Sequence, residues 1–386
     1  MNTGPEISGV ASRMPQSGIR EVFDAARSYA DLADLSIGEP DFATPEPIAT
    51  AVSEAIGTGV SRYTATVGKP SLRRALAEKL AAENGIDADP ESEVAVTPGA
   101  MGALFTAVHV LCDPGEEVLV PGPYWPNYHG HVASAGARLV TVPTDTDFLP
   151  TPERLADAVT EDTTAVILNT PANPTGAVID PERVRSLGEV AAEHGLWVIA
   201  DETYEHLVYD GATHHSLASD GARFEHTVTV HSFSKSYAMT GWRVGCVSAP
   251  ARVLDAMSTL QEHTISSVAE PAQVAATAAL ENRHVVEEIH RTFAARRDLI
   301  LDRLAAIDGV EPGRPRGAFY VFADVSAITP DSRAFVDRLM EEAGVAAVPG
   351  SVFGDGGDGH VRFSYATDTE TIETAMDRLE RLLGPA

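Results

Sequence analysis

The sequence contains little cysteine and no long apolar run. Its two cysteines, Cys112 and Cys246, lie far apart, so neither a disulfide framework nor a thiolate metal site is predicted. Apolar runs such as residues 196–200 are much shorter than the ~20 residues that a membrane-spanning helix needs. The first residues also lack the basic segment and apolar core of a secretory leader. We therefore expect a cytoplasmic protein that does not enter a membrane.

Positive charge is scarce as well. The chain has 56 acidic against 28 basic residues, a formal net charge of −28, and its only lysines are Lys69, Lys79 and Lys235. Such a surface repels nucleic acid. Excess carboxylate with so little lysine is typical of proteins from salt-accumulating halophiles, because high ionic strength screens the self-repulsion. An ordinary acidic protein is the alternative. With so few lysines, a lysine inside a chemical motif is a candidate for function rather than for solubility.

The chain of 386 residues, 44% of them hydrophobic, is long enough for two or three domains with a sizeable core. Short β-rich runs alternate with helical patterns between residues 93 and 249, which is typical of βαβ units and a mostly parallel sheet. The predicted strands cover residues 93–97, 117–120, 164–168, 196–200, 227–231 and 244–248. Because open α/β sheets bind ligands beyond the carboxyl ends of their strands, we expect the functional site there.

The rest of the chain predicts a smaller α+β unit. A helical pattern runs from about residue 251 to 304, strands are predicted over 317–322 and 361–365, and a helix is predicted over 332–343. The first forty or so residues are too short for a domain and are expected to form an arm joined to the C-terminal part. The expected organisation is therefore an arm with part of the small domain over 1–44, a large domain over 45–280 and a small C-terminal domain over 281–386.

The most informative segment is residues 230–243, VHSFSKSYAMTGWR. A predicted strand ends here and delivers two hydroxyls and an amine, from Ser232, Ser234 and Lys235, with Arg243 eight residues after the lysine. An amine at a buried strand end can form a Schiff base with an aldehyde cofactor. Hydroxyls and a guanidinium can hold a phosphate. A turn with a surface lysine is the alternative interpretation.

Three other strand ends carry candidate residues. Asp201 follows a buried strand, where its carboxylate could keep a pyridine nitrogen protonated, although a helix N-cap has the same pattern. Asn173 lies among prolines that could hold its amide toward a bound ring, and a tight turn is the alternative. The turn at Gly99 exposes backbone N–H groups at a helix start, which suits an anion.

Together these segments resemble the class I and II, fold type I pyridoxal-phosphate aminotransferases, in particular the aspartate and aromatic aminotransferases of the Iγ subgroup found in archaea and thermophiles. The resemblance covers essentially the whole chain. Its motifs, in family order, are Gly38-Glu39-Pro40-Asp41-Phe42 with Thr44-Pro45, Tyr63, the Gly99 turn, Tyr124-Trp125, Asn173-Pro174-Thr175-Gly176, Asp201 with Tyr204, residues 232–243, and Val361-Arg362-Phe363-Ser364. The resemblance implies an α/β fold in which helices cover both faces of a mostly parallel sheet in the large domain, next to a smaller α+β domain.

The resemblance also implies roles around the ring of a pyridoxal 5′-phosphate cofactor. Lys235 would hold the cofactor as a Schiff base and, once released by substrate, move the proton as the general base. Asp201 would pair with the ring nitrogen, and Asn173 and Tyr204 with the phenolic oxygen. Trp125 would stack on the ring.

The phosphate and the substrate would be held by a second group of residues. The implied phosphate donors are the N–H groups of Ala100 and Met101, the side chains of Ser232, Ser234 and Arg243, and Tyr63 of the partner subunit. Arg362, assisted by the Gly38 backbone, would bind the substrate α-carboxylate bidentately, with Trp125 and Asn173 nearby. An exposed arginine on an edge strand is the alternative for Arg362. Met101 departs from the pattern, because many relatives carry a polar or basic residue there. Its backbone N–H could still contact the phosphate, but its side chain could not.

The expected activity is a ping-pong transfer of an amino group from an L-amino acid, aspartate or aromatic, to a 2-oxo acid such as 2-oxoglutarate, in a homodimer with composite sites. Another enzyme on this scaffold, such as a Cβ–S lyase or a synthase, is the first alternative. An effector-sensing aminotransferase-like domain is the second, but the arm before Gly38 is too short for a helix-turn-helix module. No metal is predicted, and His214 and His215 are interpreted as solvated loop histidines.

Overall fold

A computed structural model of the chain describes residues 7–29 and 31–384, so the first residues, on which the expectation about a leader depends, lie outside the described part. The strands are β1 (Ala33–Asp34), β2 (Val94–Thr97), β3 (Glu117–Pro121), β4 (Arg138–Val142), β5 (Thr163–Asn169), β6 (Trp197–Asp201), β7 (Thr227–Ser232), β8 (Gly245–Ser248), β9 (Tyr320–Asp324), β10 (Val345–Ala346), β11 (Val348–Pro349) and β12 (His360–Ser364). The helices are α1 (Gly9–Arg13), α2 (Gly18–Ala26), α3 (Glu46–Gly57), α4 (Pro70–Lys79), α5 (Gly99–Leu111), α6 (Asn127–Ser134), α7 (Pro152–Asp157), α8 (Pro181–Glu193), α9 (Ala251–Thr264), α10 (Glu270–Glu281), α11 (His284–Leu304), α12 (Ser332–Arg338) and α13 (Thr369–Leu383). Within these described ranges, none of the helices combines the length and the apolar character that crossing a bilayer requires.

A seven-stranded sheet in the order β2-β8-β7-β6-β5-β3-β4 forms the centre of the large domain. The neighbouring strands from β7 to β4 run parallel, and β8 is antiparallel to both β2 and β7. All six strands predicted between residues 93 and 249 are present, with ends shifted by at most one residue. Strand β4 was not predicted, because it lies at the sheet edge and is largely half-exposed, which weakens its apolar pattern.

Helices cover both faces of this sheet, as the predicted fold class requires. Neighbouring strand residues point to opposite faces. Val118 packs with Ala103 and Leu104 of α5 on one face, whereas Leu119 packs with Leu187 of α8 on the other. The middle positions of β3, β5 and β6 are therefore apolar, since both faces of these strands are buried, whereas β7 buries threonine, histidine and serine as well as valine.

The helical pattern over residues 251–304 is three helices, α9, α10 and α11, so the expectation of one long pattern is wrong. Ser266 has a φ of 72°, which is outside the helical region. Pro271 then lies in the first turn of α10, where its missing N–H costs nothing. Backbone geometry between residues 264 and 270 thus interrupts an apolar pattern that continues in the sequence.

The smaller unit contains an antiparallel sheet in the order β11-β12-β9 and a parallel pair of β1 with β10. Strand β9 begins at Tyr320 rather than at residue 317 because Ala318 has a φ of 57°, which a strand cannot contain. One apolar core joins residues from both ends of the chain, among them Leu35, Phe293 and Met376. The domain boundaries at residues 44 and 280 stay a prediction.

Candidate functional site

A cavity of about 350 Å³ opens where the central parallel strands end. Asn169 is the last residue of β5, Asp201 of β6 and Ser232 of β7, and Asn169 lies opposite Asp201 in the sheet register. All three side chains line the cavity. The parallel strands thus deliver polar groups to one edge of the sheet, which is where the sequence predicted a site.

The structure brings together nearly all of the predicted site residues. Those that line the cavity are Gly38, Ala100, Met101, Trp125, Asn173, Asp201, Tyr204, Ser232, Ser234, Lys235, Arg243 and Arg362. Tyr63 does not line it, and its side chain is 92% exposed on the surface. The individual roles of these residues stay predictions.

Lys235 lies in a turn after β7, but its side chain projects into the cavity rather than into bulk solvent. Its Nζ donates a hydrogen bond to the carbonyl oxygen of Gly38 at 2.5 Å. Burial lowers the pKa of Lys235 to about 8; Glu39 opposes this change, whereas Arg362 acts in the same direction as burial. A substantial fraction of the amine is therefore neutral near pH 8, which is the form that attacks a carbonyl carbon.

The carboxylate of Asp201 is buried at the bottom of the cavity and is held on both oxygens. The hydroxyl of Tyr128 donates to Oδ2 at 2.7 Å, and the backbone N–H of Thr203 donates to Oδ1 at 3.1 Å. Burial raises the pKa of Asp201, while the hydrogen bonds from Thr203 and Tyr128 oppose this change. The N-cap alternative is wrong, because residues 203–206 form turns rather than a helix.

Arg362 is a buried residue on the central strand of the small sheet, so the alternative of an exposed edge arginine is wrong. Its Nη1 donates to Oδ1 of Asn173 at 2.9 Å, and its Nη2 donates to the Ser36 carbonyl oxygen at 2.7 Å. The guanidinium also lies 4.3 Å from the ring centre of Tyr320. Its Nε is buried without a hydrogen-bond partner among the described residues. This donor and the fixed plane of the guanidinium suit an incoming carboxylate.

Positive groups converge at the other end of the cavity, around the start of α5. Gly99 has a φ of +71°, which favours glycine, and a Cβ built there would lie 2.8 Å from Nη2 of Arg243 and push the guanidinium away from this turn. Ala100 follows at the helix N-terminus, where backbone N–H groups and the helix dipole favour an anion. Ser232 and Ser234 add hydroxyls, and Oγ of Ser232 accepts from the N–H of Ser234 at 3.1 Å. Together these groups suit a phosphate.

Several residues of the cavity were missed in the sequence. Tyr128 lies three residues after Trp125, near the start of α6, and this proximity to a predicted residue could have identified it. Asn169 ends a predicted strand, and its Oδ1 accepts from the N–H of Asn173 at 2.9 Å. Tyr320 comes from a distant part of the chain, and no local pattern marks it.

The interpretation of His214 and His215 as solvated loop histidines is wrong. Their side chains are only 10% and 16% exposed. Nε2 of His214 lies 3.0 Å from Glu202, and Nε2 of His215 lies 2.7 Å from Asp220. Glu202 is 12 residues away from His214 in sequence, and Asp220 is 5 residues away from His215.

A second buried polar cluster, whose residues do not line the cavity, surrounds Glu205. Both carboxylate oxygens of Glu205 lie 2.6 Å from Nζ of Lys79. Asn84 donates to the same carboxylate at 2.8 Å, and Nδ1 of His231 lies 3.0 Å from it. The ligand atoms of Glu202, Glu205 and His214 lie within 4.8 Å of one another, and the ammonium of Lys79 supplies positive charge to this group.

Comparison with known proteins agrees with this geometry. A family model for aminotransferase class I and II matches residues 30–379. The chain is 42% identical to an aspartate aminotransferase of Pyrococcus abyssi, over 95% of each chain, and 40% identical to aromatic-amino-acid aminotransferase 2 of Thermococcus litoralis, again over 95% of each. It is also similar to the structure of aspartate aminotransferase from Thermus thermophilus with maleate, with a TM-score of 0.94 and 41% identity over 98% of this chain and 100% of that chain.

Proposed function

The chain belongs to the class I and II aminotransferases, and from that premise we propose which of its residues carry out the reaction. It is a pyridoxal 5′-phosphate-dependent enzyme that transfers an amino group from an L-amino acid to a 2-oxo acid. One observation supports the assignment of roles: Lys235, Asp201 and Arg362 meet in a single cavity at the strand ends.

The residues of the cavity fit this cofactor. When bound, pyridoxal phosphate supplies an electron sink for the charge that remains on an amino acid after loss of its α-proton. Arg243 and the backbone N–H groups at the start of α5 would hold its phosphate, since both are positive and meet at the Gly99 turn. The buried carboxylate of Asp201 would keep the ring nitrogen protonated, and Lys235 would bind the aldehyde carbon. Asn173 and Tyr204 also line the cavity and would contact the phenolic oxygen, and Trp125 would stack on the ring.

Lys235 has a second task, which is to move the proton at the substrate Cα. Its lowered pKa of about 8 leaves a neutral amine available as a base near physiological pH. The amine is directed into the cavity, where it donates to the Gly38 carbonyl oxygen. Tyr204 also lines the cavity, with its ring centre 5.9 Å from Nζ of Lys235, and shares a hydrogen bond of 2.9 Å with Tyr320.

Arg362 binds the substrate α-carboxylate. Its guanidinium is held by Asn173 and by the Ser36 carbonyl, so little side-chain freedom is lost when a substrate arrives. The buried Nε has no hydrogen-bond partner within residues 7–29 and 31–384 and so supplies a donor, and Gly38 lines the same cavity. This arrangement fixes the α-carboxylate and thereby sets the position of the α-proton relative to Lys235.

A direct assay tests the activity. The purified enzyme is incubated with pyridoxal phosphate, 2-oxoglutarate and each of a panel of aspartate, aromatic and aliphatic amino acids, and glutamate is measured. We expect the wild-type enzyme to form glutamate with an aspartate or aromatic donor. The Lys235→Ala variant should form no glutamate with any donor. If a 2-oxo acid, ammonia and a thiol instead form from a thioether amino acid without any acceptor, the enzyme is a Cβ–S lyase.

We further propose a homodimer in which each site takes Tyr63 of the partner subunit. The exposed position of Tyr63, outside the cavity of its own chain, supports this arrangement. Mixing Tyr63→Phe chains with Lys235→Ala chains should restore activity, because each mixed dimer contains one site without either change. The mixture would show only the summed activities of the separate variants if each chain built its own site.

We also propose that the enzyme works in the cytoplasm of a salt-accumulating cell. Its two cysteines are buried and unpaired, which fits a reducing compartment. The formal charge of −28 opposes binding to nucleic acid and to anionic membranes. The proposed domains span residues 1–44, 45–280 and 281–386, with the first and last parts forming the arm and the small domain.

A further inference from the structure

The hydroxyl of Tyr128 contacts the carboxylate that faces the cofactor site. Tyr128 lies in α6 and is 1% exposed. Its hydroxyl donates to Oδ2 of Asp201 at 2.7 Å, while Oδ1 accepts from the N–H of Thr203 at 3.1 Å. Each oxygen of the carboxylate is therefore held by one donor, and together the two bonds fix the orientation of the carboxylate plane.

Tyr128 acts only as a donor in this hydrogen bond. Burial, and then the negative charge of Asp201, raise the pKa of Tyr128 well above its usual range, so the phenol stays protonated throughout the working pH range. A hydrogen bond donated to a carboxylate favours its ionised form. Burial has the opposite effect on Asp201, because it raises the pKa of this group.

Other titratable groups also face Asp201. Glu202 and Tyr204 lie on the segment after β6, and Lys235 lies on the turn after β7. Glu202 raises the pKa of Asp201. Among the described titratable side chains, Tyr128 is the one that donates a hydrogen bond to this carboxylate, so its effect can be removed by deleting a single oxygen atom.

We propose that Tyr128 is a positioning residue for the cofactor ring, whose hydroxyl keeps Asp201 ionised and directed at the ring nitrogen. The inference rests on the proposed pairing of Asp201 with that nitrogen. Tyr128 also meets the ring of Trp125 edge-on, at 5.5 Å between ring centres and an angle of 88°. The same aromatic side chain thus supports two proposed contacts of the cofactor ring.

The test compares two ligands on the apoenzyme: pyridoxal 5′-phosphate and the analogue in which C–H replaces the ring nitrogen. Tyr128→Phe keeps the aromatic ring and removes only the hydroxyl. We expect its affinity for pyridoxal phosphate to fall roughly tenfold to a hundredfold, as for loss of a hydrogen bond to a charged group. Its affinity for the analogue should stay the same or improve. As the pH falls, Tyr128→Phe should lose its affinity for pyridoxal phosphate at a higher pH than the wild type does, because Asp201 is protonated more readily without the hydroxyl of Tyr128.

Tyr209→Phe is the matched control. The hydroxyl of Tyr209 donates to the Ala318 carbonyl at 2.8 Å in the apolar core and does not line the cavity. This variant should keep the wild-type preference for pyridoxal phosphate over the analogue. If Tyr209→Phe lowers that preference as much as Tyr128→Phe, or if Tyr128→Phe weakens both ligands equally, the inference is overturned, because the hydroxyl then serves only the stability of the fold.

Asp201→Asn separates this inference from the function on which it depends. If Asp201→Asn loses the preference for pyridoxal phosphate and Tyr128→Phe keeps it, the role of Tyr128 is wrong and the pairing of Asp201 stands. If Asp201→Asn binds both ligands as the wild type does, the proposed pairing is wrong, and the role of Tyr128 is overturned with it.

Discussion

Replacing Lys79 by methionine should destabilise the folded protein, because it removes the charge that neutralises Glu205 in the interior. The two side chains are only 5% and 8% exposed, and Nζ of Lys79 lies 2.6 Å from the carboxylate. Methionine is similar in length and flexible enough to fill the space. The substitution therefore removes the ammonium with little loss of packing.

The expected loss follows from the burial of the pair. Removing one partner of a buried ion pair costs about 3–5 kcal/mol, because the other charge is left uncompensated. Asn84 and His231 still contact the carboxylate of Glu205, at 2.8 and 3.0 Å, so we expect a value at the lower end, about 3 kcal/mol. The double variant Lys79→Met/Glu205→Gln should recover part of this loss, since no buried charge then remains unpaired.

The effect should also depend on pH in a defined direction. Burial alone would raise the pKa of Glu205, but His231, Lys79 and His206 together hold it well below its usual range. A carboxyl with a lowered pKa stabilises the folded state above the pKa of the unfolded chain, and this contribution is lost as the pH falls through the folded pKa. Without Lys79 the pKa of Glu205 rises. The difference in stability between wild type and variant should therefore be largest at neutral pH and shrink as the pH falls.

Urea denaturation measures this difference. Protein and pyridoxal phosphate concentrations are kept constant, because ligand and subunit binding change apparent stability by mass action. Lys69→Met is the matched control: Lys69 pairs with Glu270 at 3.3 Å, but its side chain is 36% exposed, so we expect a loss of less than about 1 kcal/mol. The reasoning is refuted if Lys79→Met is as stable as Lys69→Met, or if its deficit grows as the pH falls.

Three further predictions follow from the site and the surface. Gly99→Ala should weaken the binding of pyridoxal phosphate at least ~10-fold, because the new Cβ would crowd Arg243 at a φ of +71°; wild-type affinity in a cofactor titration would contradict this. In the apoenzyme, the extent of acylation of Lys235 should increase as the pH is raised through 8 and should exceed that of Lys69. Peptide mapping that finds this increase only near pH 10 counts against a lowered pKa of Lys235. Diluting KCl from 1 M to 0.01 M lengthens the Debye length from ~3 to ~30 Å, so the melting temperature should fall, and a constant or rising value would exclude a halophilic surface.

Much of the fold could be predicted because its strands are short, buried and apolar. Strands β5, β6 and β7 each end one residue from their predicted positions, since polar residues follow each apolar run directly. The prediction failed where backbone geometry, not polarity, ends an element. The left-handed residues Ser266 and Ala318 interrupt patterns that look continuous in composition, and neither residue type marks such a conformation.

The candidate site was predictable where one local segment carries both the chemical group and the strand that places it. Lys235 and Asp201 each follow a recognisable buried strand, and both line the cavity. Tyr320 could not be predicted, because it reaches the site from a distant part of the chain and has no local signature. The burial of His214 was missed for the same reason, since Glu202 approaches it only in the folded protein.

The amino-acid sequence by itself determined the order of apolar and polar runs, the excess of carboxylates, and the kinds of chemical group available at the strand ends. Only the tertiary structure decided which of these groups meet. Tyr128 and Asp201 are 73 residues apart in sequence and 2.7 Å apart in space, and Arg362 is positioned by residues 189 and 326 positions away. Hydrogen bonds and desolvation depend on distance through space and on exclusion of water. The lowered pKa of Lys235 and the fixed guanidinium of Arg362 are therefore properties of the packed chain, which no local pattern of residues contains.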